Sequence, residues 1–277
     1  MIAAIGLPLA LLLGIVSDLV SGGAGRALGR DRRWWGRLTD RWGEVRRLWG
    51  KGRASERASA LEAVGTAGAL LGSGIVGAAA IGAIPGNLPL VYLGLLGATA
   101  GGYLAASASA PEERPPGSRL RAALAEPAFV TALGAAFLRW GALDLEGAFG
   151  AQEILGPGIV VGPPAALAGL VVSTVVILIA GPLRGTPAPP DGPGGASLLA
   201  ALSRWGAAGA TGLLVASLVG GPVGPDVVVF AAAAVGSVVV LGVAEAVAGS
   251  LRGRTGTLLL VALTVLATAG AVLVSAS

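Results

Sequence analysis

The sequence predicts an all-α integral membrane protein with about eight transmembrane helices and one amphipathic helix at the cytoplasmic surface. Three observations support this fold class. Hydrophobic residues make up 54% of the chain and charged residues 12%, apolar stretches of spanning length recur, and basic residues fall in alternate connections. Soluble domains carry roughly 25% charged residues. The mean hydropathy of +0.81, with 47 glycines scattered among Ala, Val and Leu, is typical of helices that pack closely in lipid.

Each predicted span supplies the length needed to cross the hydrocarbon core, about 20 apolar residues for ~30 Å. The spans cover residues 2–20, 60–84, 88–106, 122–143, 164–182, 198–219, 227–250 and 257–274. The first has no basic residue before its apolar core and no small-residue cleavage site, so we interpret it as a retained span and not a signal peptide. The fourth is the weakest, because Arg139 interrupts it. We expect a single polytopic domain, 1–277, with a cytoplasmic Pro/Gly-rich loop at 184–197.

The distribution of basic residues predicts the orientation. The first, third, fifth and seventh connections hold 17 of the 19 Lys and Arg residues. The even connections hold Asp144, Glu146, Glu153 and Asp226 and no cation. Because basic residues are retained on the cytoplasmic side, we expect the odd connections in the cytoplasm, both termini outside, and the chain in the cell (inner) membrane.

The composition also excludes several kinds of chemistry. The chain has no Cys and no His, which removes thiolate clusters, zinc sites, haem axial histidines and His-based triads. No Gly-rich segment ends in the Gly-Lys-Ser/Thr of a phosphate loop. We therefore expect no metal site, no cofactor bound by this chain and no catalytic residues. At most, the chain is a non-catalytic subunit of an oxidoreductase complex.

The stretch "RDRRWWGRLTDRWGEVRRLWGKGR", 30–53, predicts the amphipathic helix. Trp35, Trp42 and Trp49 recur with Leu38 and Val45 at steps of three and four, which places them on one helix face at the membrane interface. Two interpretations remain for the basic residues. They anchor the helix to anionic lipid, or they dock a soluble partner, the docking candidates being Arg33, Arg37, Arg41, Arg47 and Arg184. Nucleic acid is disfavoured, because a membrane interface selects the same composition and no nucleic-acid module surrounds the stretch.

Ionisable residues inside the spans are the candidates for an ion pathway, because such groups are costly in lipid unless paired or hydrated. In one hypothesis Glu62, Arg204 and Glu245 form a polar half-channel open to the cytoplasm, in which Glu245 relays protons. The alternative is that they snorkel or form ion pairs with Arg57, Arg252 and neighbouring residues. Further candidates are Asp18, Glu126 and Arg139, the last being expected to reach Asp144 or Glu146 at the outer surface.

Several segments, taken in order, resemble the membrane subunit that energy-converting hydrogenases of the formate hydrogenlyase type share with respiratory complex I, where it is called subunit 1. The stretch "GRALGRDRRWWGRLTDRWGEVRRLWGKG", 25–52, has the layout of the basic segment that follows the family's first span. "AEPAFVTALGAAFLRWGALDL", 125–145, resembles the family's "AEP" entrance to a span. "VILIAGPLRGTPAPPD", 176–191, and "VAEAVAGSLRGR", 243–254, resemble two further family segments, each with its basic residues in place.

The resemblance implies a membrane-anchor subunit of a complex I-like or hydrogenase-like assembly that couples redox chemistry to ion translocation. Its implied partners are soluble redox subunits on the basic face and antiporter-like membrane subunits, and any iron–sulfur cluster or quinone would involve those partners. The chain departs from the family at Ala180 and Gly181, where a glutamate is expected, and it lacks the glutamate-rich segment after Asp191. This departure implies degenerate proton or quinone coupling. The other function classes are a stand-alone transporter of a small solute or ion and a structural membrane protein.

Overall fold

The computed structural model describes residues 3–28, 56–109, 118–155, 163–184, 194–221, 227–250 and 254–276. This part of the chain forms nine α-helices: α1 Ala3–Leu28, α2 Glu56–Ala80, α3 Leu88–Ser109, α4 Ser118–Leu138, α5 Leu145–Leu155, α6 Pro164–Arg184, α7 Gly194–Gly220, α8 Val227–Ser250 and α9 Arg254–Ser275. The predicted amphipathic helix, with its three interfacial tryptophans and the docking candidates Arg33, Arg37, Arg41 and Arg47, lies outside the described residues.

Seven of these helices, all except α4 and α5, are long and apolar enough to cross a membrane. They coincide with seven of the eight predicted spans. The remaining span corresponds to α4, whose apolar part, Ala125–Leu138, is shorter, and Pro127 within this helix removes one backbone donor. The prediction of a polytopic all-α membrane protein is therefore confirmed. Helix α4 corresponds to the eighth predicted span but has a shorter apolar part than the other seven.

The helices alternate in direction, as the residues in contact along each pair show. Ala10 of α1 lies against Gly209 of α7, and one turn later Gly14 lies against Trp205, so these two helices are antiparallel. Because successive spans are joined at alternate ends, the connections that follow α1, α3, α6 and α8, which hold most of the basic residues, all attach at one end of the bundle. We name this end the basic face, and the opposite end, which carries α5, the α5 face.

Close backbone contacts hold the bundle together. A side chain at Gly14 or Gly209 would overlap the backbone carbonyl of Trp205 or Ala10, so α1 and α7 touch through their backbones. Between membrane helices, close packing of this kind replaces the hydrophobic effect that drives packing in water. Helices α1, α2, α3 and α8 surround α7. Helices α4, α6 and α9 pack on one another as a second group, which meets the first mainly through α6 and also where α4 touches α3.

Helix α5 lies in the predicted outer connection between the fourth and fifth spans, and the sequence analysis did not predict it. Asp144 caps its first turn, because its Oδ1 accepts the backbone N–H of Gly147 at 2.6 Å. The side chains of Leu145 and Ala148, on one side of the helix, are buried, whereas that of Glu146, on the other side, is exposed. The helix therefore covers the end of the bundle and does not cross it.

A short backbone pairing ties α5 to the start of α3. The Leu88 N–H donates to the Leu143 carbonyl at 2.7 Å, and the Leu145 N–H donates to the Gly86 carbonyl at 2.8 Å. These two bonds link the beginnings of two helices and fix the turn that follows α4.

Candidate functional site

The structure brings three of the ionisable candidates together inside the bundle. Arg204 of α7 is bound to two carboxylates, because its Nη2 pairs with Oδ1 of Asp18 on α1 and its Nη1 pairs with Oε1 of Glu245 on α8 at 3.3 Å. We name Asp18, Arg204 and Glu245 the ion triad. Sequence analysis singled out each member, but it did not group Asp18 with the other two.

The ion triad lies at membrane depth and not at the ends of its helices. Asp18 and Arg204 are each ten residues from the basic-face end of their helix, and Glu245 is five residues from its own. These separations correspond to about 15, 15 and 7.5 Å along the helix axes. All three residues also fall within candidate membrane spans. Such groups are stable at this depth only when they are paired or hydrated.

Backbone packing brings the triad together. The contact of Gly14 with the Trp205 carbonyl holds α1 against α7 one turn from Asp18. A side chain at Gly242 would likewise overlap the carbonyl of Ser17, so α8 approaches α1 equally closely. Three helices are thus held near enough for one guanidinium to reach two carboxylates on two different neighbours.

The two ion pairs of the triad are unequal. The Asp18 side chain is 6% exposed, whereas those of Glu245 and Arg204 are 25% and 21% exposed. The pair of Arg204 with Asp18 is therefore the more buried of the two, and the pair with Glu245 is the more accessible to solvent. The triad has one more carboxylate than guanidinium, so a proton or another cation is needed to neutralise it.

Two buried nitrogen atoms beside the triad lack hydrogen-bond partners within the described part of the chain: Arg204 Nε and Nε1 of the adjacent Trp205. Buried N–H groups are costly when unsatisfied, and ordered water is the usual partner where the protein supplies none. This pattern favours a hydrated environment around the triad.

Glu62, the remaining member of the half-channel hypothesis, lies on α2, which packs against both α1 and α7. It is buried in α2, three residues before Gly65, whose Cα lies against α3. The half-channel hypothesis grouped Glu62 with Arg204 and Glu245. The participation of Glu62 in such a pathway stays a prediction. Arg252, the alternative partner of Glu245, lies outside the described residues.

Glu126 forms a second polar link at membrane depth. Its Oε1 accepts the hydroxyl hydrogen of Tyr92 at 2.7 Å, which joins α4 to α3. Tyr92 was not among the sequence-based candidates. A lone tyrosine four residues into an apolar helix gives no periodic pattern that would single it out.

Two candidate arginines lie at helix ends. Arg139 follows the last residue of α4, and its guanidinium carbon lies 5.0 Å from the centre of the Trp140 ring, which is cation–π distance. The expected pairing of Arg139 with Asp144 or Glu146, and any role in an ion pathway, stay predictions. Arg184 is the last residue of α6, at the basic face. Among the described residues, no cluster of three or more His, Cys, Asp or Glu side chains could hold a metal ion.

These features define a class of protein, a multi-pass helical membrane protein with an ion-pair cluster buried inside its bundle. The same fold occurs in a solved structure. One chain from the structure of the membrane-bound sulfane sulfur reductase (MBS), an archaeal respiratory membrane complex, matches with a TM-score of 0.68 at 17% sequence identity, over 99% of this chain and 100% of that chain. No protein-family model matches the sequence, and a search of curated proteins finds no match. The structural likeness establishes a shared fold over the full length of both chains.

Proposed function

We propose that this chain is a membrane-anchor subunit of a respiratory redox complex of the hydrogenase or complex I-like kind. In this proposal it docks soluble redox subunits on its basic face and contacts antiporter-like membrane subunits in the bilayer. The observation that carries the proposal is the full-length fold similarity to a chain of a respiratory membrane complex. The order of family-like segments and the concentration of basic residues at one end of the bundle support it independently.

The proposal assigns the docking surface to the arginines of the first and fifth connections, and it puts these connections in the cytoplasm with both termini outside. Partner binding is tested by purifying the tagged full-length chain from native membranes in mild detergent. We expect co-purification of subunits with the visible absorption of iron–sulfur clusters. A chain that purifies alone, and in liposomes moves a solute or ion without partners, would instead be a stand-alone transporter.

A matched pair of variants separates partner docking from lipid anchoring. Charge reversal to Glu at Arg37, Arg41 and Arg47 is expected to release the soluble subunits while the protein stays in the membrane fraction, because seven apolar spans still hold it there. Replacement of the same three residues by Lys keeps the charge and is the control. Retention of the soluble subunits by the Glu variant would remove the docking assignment.

The proposal also assigns the ion triad to proton transfer from the basic face, with Glu245 as the exchanging group. Glu245 is the more exposed carboxylate, and its pairing distance of 3.3 Å leaves it more weakly held than Asp18. Toward the α5 face the largest fully buried side chains are apolar and include Phe137 and Leu214. The accessible path to the triad therefore starts at the basic face, and coupling onward depends on partner subunits.

Two measurements test this assignment. Glu245→Gln is expected to reduce redox-driven proton movement in inverted membrane vesicles, because an amide cannot exchange a proton at this position. Unchanged proton movement would return Glu245 to a structural role. Since the chain has no Cys, a single Ser21→Cys variant is free of background and should react with an impermeant maleimide from the basic face. Thr211→Cys, buried further toward the α5 face, is the unreactive control.

A further inference from the structure

A separate polar site lies at the α5 face, where Gln152 of α5 covers the end of α7. Its Nε2 donates to the backbone carbonyls of Ser217 and Leu218, at 3.1 and 3.0 Å. These carbonyls belong to the last turn of α7, where a helix runs out of backbone donors, although the Ser217 carbonyl also accepts the Gly221 N–H at 3.2 Å. Gln152 is only 4% exposed, so its amide group is fixed in this buried position.

The amide oxygen of Gln152 is buried and has no hydrogen-bond partner among the residues that the structure describes. It lies beside Gly221, where the backbone has φ +89° and an added Cβ would be 3.3 Å from Oε1. Because Nε2 is committed to two carbonyls, the amide cannot turn over to satisfy its oxygen without losing both bonds. The site therefore presents an unsatisfied acceptor next to the carbonyl end of a helix.

The electrostatic surroundings of this acceptor favour positive charge. The carboxyl end of α7 carries the negative end of a helix dipole, equivalent to roughly half an elementary charge. The α5 face also carries Asp144, Glu146 and Glu153, the latter two with exposed side chains. The even connections predicted from the sequence hold no basic residue, and at this face Arg139, just after α4, is outnumbered by these three carboxylates.

We propose that Gln152 Oε1 and the carbonyl end of α7 bind a monovalent metal cation of the Na⁺ type at the α5 face. A buried water typically makes about three hydrogen bonds to polar groups around it. A metal cation needs only acceptors, and Oε1 is a buried acceptor that no described donor satisfies. The oxygens are neutral amide and backbone groups, which suit a single charge, and helix carboxyl ends serve as Na⁺ ligands in other membrane proteins. This site does not depend on the proposed function.

The test uses the purified full-length protein in detergent. Its Tm is measured in NaCl and in N-methylglucamine chloride at equal ionic strength, which separates binding from screening of the acidic face. Above the Kd, each tenfold rise in Na⁺ should raise the Tm by roughly 3–5 °C. Equal Tm values in the two salts would overturn the proposal.

Three variants locate the effect. Gln152→Met removes the oxygen and should abolish the Na⁺ dependence. Gln152→Lys places an ammonium group at the end of α7 and should give a high Tm in both salts. The control, Glu153→Gln, changes only the exposed neighbour and should keep the dependence. If the Met variant fails to fold, the Lys variant tests the proposal on its own. A Tm that depends on Na⁺ in the Lys variant as much as in the unchanged protein would refute the site.

Discussion

Removal of the guanidinium from the ion triad tests the central structural claim. In an Arg204→Met variant the methionine replaces most of the apolar stem, but Asp18 and Glu245 lose their shared partner. Asp18 is 6% exposed, so water replaces the lost pairing far less well than it would at the protein surface. Removing one partner of a buried ion pair costs about 3–5 kcal/mol, because the other charge stays buried without compensation.

The geometry predicts that the two pairs contribute unequally. At 3.3 Å, two unit charges attract by roughly 5 kcal/mol at an effective dielectric constant of 20, before desolvation is subtracted. Since the Glu245 and Arg204 side chains are 25% and 21% exposed, screening should leave about 1 kcal/mol for that pair. The pair with buried Asp18 should therefore dominate, and Arg204→Met should lower the Tm by roughly 6–20 °C.

The assay is thermal unfolding of the purified chain in detergent, with a second substitution as the decisive control. Adding Asp18→Asn to Arg204→Met removes the uncompensated interior charge and should recover more than half of the lost stability. Arg139→Met, at the end of α4, should change the Tm little. If the double variant is no more stable than Arg204→Met, the loss reflects packing and the electrostatic argument is wrong.

Three further stability predictions follow from local contacts, each checked by thermal unfolding in detergent. Gly209→Ala should lower the free energy of unfolding by roughly 1–3 kcal/mol, because its Cβ would overlap the α1 backbone. The control Gly134→Ala, with open space around it, should be neutral or stabilising by up to about 1 kcal/mol. Equal effects of the two substitutions would contradict the packing described. Asp144→Ala should cost about 0.5–2 kcal/mol through loss of the α5 cap, and no change would mean that this cap is dispensable. Tyr92→Phe should cost about 0.5–1.5 kcal/mol, and combining it with Glu126→Gln should add little, whereas fully additive losses would argue against the hydrogen bond.

Local sequence also marked features whose importance only the structure revealed. Asp144 followed by Leu145 and Glu146 has the composition of a helix start, with a capping residue and an acid in the first turn. The 11 residues of α5 are too few to span a membrane, and hydropathy therefore assigned them to a connection. Gln152 gave no indication of its role, because its partners lie 65 and 66 residues away.

The sequence alone determined that this protein crosses a membrane several times and where most spans lie, because the hydrocarbon core imposes a local requirement for continuous apolar residues. It also indicated which ionisable residues lie within those spans. Tertiary structure decided which of them meet. Asp18 and Arg204 are 186 residues apart, and the helices that carry them are apolar on nearly every side, so no periodic pattern marks their contacting faces. Those faces are chosen by close backbone contacts at glycines, and the choice depends on the shapes of both helices at once.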